Sequence, residues 1–223
     1  MTTTPNQLPE TRLTVGSASD ARLKALGVRL ERLNAALDAG DVAARQADQF
    51  SPVNGAGVLR WVMTVSVLRQ GLAADGWTVT DPRNSPRITD PSGQTSIVPV
   101  SGNWRTGLPD DGDPSSARPR GAATSRSVQI NGQLQFDIEA LLPDMAAERD
   151  ASVRTWFLLY YRSAETGELR TELSLPTRIR DKGFVDGWSE RIILSPRTFG
   201  PEIETPLDAG RDDDDVEFDV DAV

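Results

Sequence analysis

Hydrophobic and polar positions along this chain follow two periods, a helical one in the first third and a stranded one after it. Between Asp20 and Ala39, leucines stand at 23, 26, 30, 33 and 37, alternating steps of three and four that end before Gly40. That spacing predicts an amphipathic helix, capped by Ser17 or Ser19, with a narrow apolar seam. Such a seam serves either of two ends. It packs on its own domain, or it is offered to a partner helix, although two heptads fall short of a full coiled coil. A second helix is predicted over 57–74, closed by Gly76. Val58, Leu59, Trp61, Val62, Met63, Val65, Val67, Leu68 and Leu72 surround it, and Arg60 and Arg69 are its charges. A helix apolar on most sides belongs at the centre of a core.

Beyond residue 76 the period shortens. WTVT (77–80), RIT (87–89) and SIVPV (96–100) read as short strands separated by the turn sequences DPRNSP and DPSGQ. The stretch 104–127 is rich in Gly, Pro, Ser and charge, which predicts a flexible loop or linker and the boundary between two regions. In SVQINGQLQFDI (127–138) the Asn-Gly pair is a hairpin signal. A two-residue turn there scatters the apolar groups onto both faces, whereas one continuous strand puts Val128, Ile130, Leu134, Phe136 and Ile138 on one side. The expectation is therefore a single strand, bulged at Gly132. After a loop at 139–151, VRTWFLLYYR (153–162) is apolar on both alternations, the pattern of a strand covered on two sides. ELRTELSLP (168–176) alternates leucines with Glu168, Arg170, Glu172 and Ser174, which predicts one wet face. A third strand near Trp188–Leu194 completes an antiparallel meander over 153–194. The fold class expected is α+β: an N-terminal helical pair with short β segments (18–103), a flexible loop (104–126) and an antiparallel β-rich region (127–207). Residues 1–17 and the acidic tail 208–223 read as disordered ends.

Charge sharpens the last point. Of the formal −9, residues 208–223 hold eight acids and one arginine, a charge of −7, which leaves −2 for the rest of the chain. The acidity belongs to the tail. Within it Val216, Phe218 and Val220 alternate with acids, so it reads either as a solvated end or as an extended recognition segment.

Cysteine and histidine are both missing from the sequence. Disulfides, thiol nucleophiles, Cys- or His-ligated zinc and imidazole catalysis are thereby excluded. Lysine occurs only at Lys24 and Lys182, neither in a phosphate-loop motif. The predominance of arginine fits a GC-rich bacterial genome. No apolar run has the length of a membrane span and the N-terminus lacks a secretory pattern, so a cytoplasmic protein is expected. No cofactor or metal site is assigned.

The remaining chemistry divides three ways. The leading expectation is a non-enzymatic adaptor or regulator of a bacterial multi-protein system. A protein partner would be held by the seam Leu23, Leu26, Leu30, Leu33, Leu37 and the tail residues Val216, Phe218, Val220. The alternative is nucleic-acid binding through Arg105, Arg118, Arg120 and Arg126, since flexible basic loops follow phosphate backbones. The third rests on a helix followed by Gly-Trp, a β segment and the acids Asp81 and Asp90. This arrangement resembles the start of a restriction-endonuclease-like core, whose paired acids would hold a metal ion. The resemblance spans about 35 residues and lacks the ExK element of that family.

Overall fold

The computed structural model describes residues 11–81, 85–110, 112–121, 124–132, 153–180 and 182–199. Strand β1 (Arg12–Thr14) leads into helices α1 (Ser17–Ala25), α2 (Leu30–Ala44) and α3 (Gly55–Ala73). Strands β2 (Thr78–Thr80), β3 (Arg87–Thr89) and β4 (Thr95–Ser101) follow. Helix α4 covers 124–132. Strands β5 (Arg154–Arg162), β6 (Glu168–Ile179), β7 (Val185–Ile193) and β8 (Arg197–Thr198) complete the α+β fold.

The leucine seam does not run through one helix. Gly27, at φ +71°, stops α1. The Val28 N–H donates to the Leu23 carbonyl and the Gly27 N–H to the Lys24 carbonyl, both at 3.0 Å, which is a Schellman cap. Gly76, at φ +88°, ends α3 in the same way: Trp77 N–H meets the Leu72 carbonyl at 3.1 Å and Gly76 N–H the Ala73 carbonyl at 3.0 Å. In each cap the apolar residue after the glycine shares the main core with the residue whose carbonyl it reaches. The glycines thus turn the chain back onto the sheet.

All eight strands form one mixed sheet in the order β1-β7-β6-β5-β4-β3-β2, with β8 pairing at the start of β6. The β4–β5 and β1–β7 pairs are parallel and the rest antiparallel. Parallel neighbours need a crossover. The stretch expected to be a linker between two regions belongs to that crossover, so the short N-terminal strands and the C-terminal meander share one sheet.

Strand β5 is buried on both faces, as its pattern predicts. Trp156 and Leu158 face a core under the helices, with Leu23, Leu33, Leu68, Leu72 and Ile97. Phe157 and Leu159 face a second core containing Val98, Val100, Val128, Val185 and Trp188. The second core is closed by the crossover and by the end of the β6–β7 hairpin. Register shifts between Leu175 and Ile179 bend that hairpin over the sheet, the usual effect of bulges. Ser116 N–H bonds the Val185 carbonyl at 2.9 Å, Ala117 N–H bonds the Ser101 carbonyl at 2.9 Å, and Trp188 Nε1 donates to the Pro114 carbonyl at 2.8 Å.

Two sequence expectations are overturned on this face. Val128, Ile130 and Gly132 are helical, not stranded; Leu134, Phe136 and Ile138 lie outside the described residues. The cause is tertiary. The last β5–β6 pair at this end is Phe157 with Ser174. Past it, Asn131 Nδ2 donates to the Thr155 carbonyl (2.8 Å) and the Pro176 carbonyl (3.0 Å), while its Oδ1 accepts from Thr155 N–H at 3.1 Å. One side-chain amide takes the place of a ladder rung. The wet face expected on β6 is the second correction, because Glu172 and Ser174 are fully buried. Glu172 Oε2 accepts from Arg191 Nη2 at 2.7 Å and from Gly107 N–H at 2.9 Å, and Ser174 Oγ donates to Oε1 at 2.7 Å. A buried ion pair satisfied on every side has replaced the solvent that the alternation implied.

Candidate interaction surfaces

The five seam leucines have their partners inside the fold. Leu23 and Leu33 are buried in the core beneath the helices, with Leu26 and Leu30 packed against it. Leu37 is buried beside Tyr160 and Leu169. Val216, Phe218 and Val220 lie outside the described residues.

Helix α3 departs from its expected role as a helix buried all round. Its charged Arg60 is buried, while the apolar Val62 and Met63 are exposed. Helix α2 supplies the reason. At Gly40 the two helices approach so closely that a Cβ would lie 2.1 Å from Thr64 Oγ1 and 2.9 Å from the Arg60 carbonyl oxygen. The next residue, Asp41, is fully buried and has guanidinium nitrogens of Arg45, Arg162 and Arg60 at 2.8, 3.2 and 3.7 Å. A buried carboxylate needs such partners. Recruiting Arg60 fixes the rotation of α3 about its axis and turns its Val62 side outward.

That side borders the end of the sheet. Strand β2 is the last in the order and all three of its residues are exposed. Between it and α3 runs an open groove of about 460 Å³, lined by Trp61, Val62, Val65, Arg69, Asp81 and Pro86. Val62 in its wall is 45% exposed, and Met63 (37%) and Val79 (42%) are also exposed on α3 and β2. Arg69 is bonded to the Asp81 carboxylate and, at 2.8 Å, to the Thr80 carbonyl, which ties the helix to the end of β2.

The acids of the metal reading do not meet. Thr78 pairs with Thr89 and Thr80 with Arg87, so Asp81 and Asp90 follow opposite ends of the β2–β3 ladder. Asp81 holds Arg69. Asp90 shapes the turn into β4, accepting from Thr95 N–H at 2.8 Å and from Ser92 Oγ. Among the described residues there is no cluster of three or more acids that could hold a metal ion. The helix-then-hairpin order behind the resemblance is present, without the paired acids it implied.

The four loop arginines are dispersed over an ordered strap. Arg105 stacks over the Trp104 ring, 4.7 Å from its centre, and Trp104 is 54% exposed. Arg118 and Arg120 lie half-buried beside the β6–β7 turn, where Arg120 N–H bonds the Gly183 carbonyl at 2.8 Å. Arg126 is exposed on α4. Sequence spacing missed what joins Arg118 and Arg120 there: Arg178, Arg180 and Lys182 of the hairpin, all exposed. Their only warning was the run RIRDK, between the strands predicted at 168–176 and near Trp188–Leu194.

Electrostatics mark a few other positions. Partial burial raises the Asp113 carboxyl above its usual range, opposed by Arg191 and Arg178. Burial lowers the Arg87 guanidinium, whose Nη2 donates to Ser127 Oγ at 2.6 Å. The hydrogen bond from Arg32 holds Asp75 below the ordinary carboxylate value, with Arg29 assisting.

No family model, no curated protein and no solved structure matches this chain. Among the described residues no helix is long and apolar enough to cross a membrane.

Proposed function

We propose that the protein works by contact, as a cytoplasmic adaptor or regulator in a bacterial multi-protein system. The outer side of α3 and the β2 edge serve as its docking face. The observation that carries this reading is the outward rotation of α3, which leaves Val62 in water in a groove wall and Met63 exposed on the same helix. A helix face next to an open strand edge suits a partner that brings an apolar helix or strand. The tail residues Val216, Phe218 and Val220 remain a second contact element of the proposal, supported by their period-two spacing.

Val62→Asp with Met63→Asp tests the docking face. Both side chains are exposed, so the melting temperature should move by no more than about 2 °C. A photo-crosslinker placed at Ser66 should trap a defined partner in cells, and the double variant should lose it. An undiminished crosslink in the variant refutes the assignment of this face. Removing 208–223 and comparing the crosslinked partner tests the tail separately.

A further inference from the structure

A second surface lies on the other side of the sheet, and we propose that it binds the backbone of single-stranded nucleic acid. Arg178 near the end of β6 and Arg180 just past it share one organiser. Asp186 is buried, and its carboxylate accepts from Arg178 Nε at 3.2 Å and from Arg180 Nε. The two side chains nevertheless stay 49% and 68% exposed. One buried carboxylate therefore aims two guanidinium groups at solvent from fixed positions. Planar guanidinium donors match the spacing of phosphate oxygens, and prior anchoring reduces the entropy lost when they bind.

The rest of the surface is pinned to the same hairpin. The turn is closed by Gly183 N–H on the Arg180 carbonyl and Arg180 N–H on the Phe184 carbonyl, both 2.8 Å, and it presents exposed Lys182. Gly183, at φ +84°, packs so near Pro119 that a Cβ would meet it at 3.2 Å. This contact brings Arg118 and Arg120 alongside. Among the described residues five cations face two acids, Asp186 and Asp113, the latter sensing Arg178 and Asp186. The balance is positive in a chain of net −9.

Trp104 selects the single strand. Asn103 Nδ2 donates to Ser115 Oγ at 3.0 Å, which folds the strap back so that Trp104 lies beside the segment leading into Arg118. Arg105 covers one face of the half-exposed Trp104 ring and leaves the other for a base to stack on while the phosphates follow the charge.

The test is fluorescence anisotropy of the full chain with a labelled 20-nucleotide single-stranded oligo-dT, titrated from 25 to 200 mM salt. Four phosphate contacts predict a slope of about −2.8 in log K against log salt, or about a 50-fold loss between 50 and 200 mM. Arg180→Gln with Lys182→Gln should reduce the slope by about 1.4, and the fold is preserved because Arg178 still holds Asp186. Trp104→Ala should weaken binding about fivefold or more with the slope unchanged. Absence of binding at 25 mM salt, an unchanged slope in the R180Q/K182Q variant, or tighter binding of a duplex or of polyglutamate overturns the proposal.

Discussion

Gly40→Ala is the most direct challenge to the account of α3. In an unconstrained helix this change stabilises by about 1 kcal/mol, because glycine is the poorer helix former. Here the added Cβ would sit 2.1 Å from Thr64 Oγ1, 2.9 Å from the Arg60 carbonyl oxygen and 3.3 Å from Arg60 Cγ. Thr64 is fully buried, so its hydroxyl has little room to turn. The carbonyl is backbone, so relief requires α3 to move as a body. Overpacking of this kind costs about 3 kcal/mol at the upper end of its range, which leaves a net loss of about 2 kcal/mol. For a chain of this size that lowers the melting temperature by about 4–8 °C in a calorimetric or circular-dichroism melt. Thr64→Ala removes the nearer obstacle, so the methyl should cost at least 1 kcal/mol less in that background, a coupling read from a double-mutant cycle. A Gly40→Ala protein that melts at or above the wild-type temperature refutes the close crossing, and with it the reason given for the outward turn of Val62.

Two further perturbations probe other supports of the fold. Asn131→Ala strands the Thr155 N–H and carbonyl and the Pro176 carbonyl, so stability should fall by about 3 kcal/mol, seen as a lower urea midpoint; a loss under 1 kcal/mol would show that the amide is not a working rung. Asp75 has its pKa lowered in the folded state, chiefly by Arg32, so it contributes stability above its ordinary value of 3.8 that is lost as pH falls through the folded value. Asp75→Asn should therefore melt lower than wild type at neutral pH and converge with it in acid, and a gap independent of pH from 7 to 2 would contradict the pairing.

What the sequence made legible was local. The two-sided apolarity of Val153–Arg162 needs no knowledge of distant residues to imply a strand covered twice, and the turn signals around 81–86 and 90–94 fixed the short strands between them. What it hid was long-range. A period-two polar row such as Glu172 and Ser174 is the same whether water or a strap lies over it. Only the fold brings Arg191 and Gly107 to Glu172. The burial of Arg60 was hidden for the same reason, since nothing within α3 records that Asp41 waits across the crossing. The Asn-Gly pair at 131–132 signalled a turn locally and became part of a helix because two diverging strands needed its amide. The candidate surfaces suffered most: Arg178 and Arg180 carried no assignment until the hairpin brought them alongside Arg118 and Arg120.

Strand β1 has a consequence for how the molecule is made. Arg12–Thr14 pairs with Glu190–Ile192, and Ser19 Oγ donates to the Ile193 carbonyl at 2.7 Å. Strand β1 thus leaves the ribosome long before the strand it pairs with. Contacts of such sequence separation slow folding, and until they form the end of the sheet and the underside of α1 stand open. A nascent chain halted before β7 should carry that exposed surface for as long as synthesis stalls, so it is during translation that this protein most needs a chaperone. A strand made early is among the last to find its place.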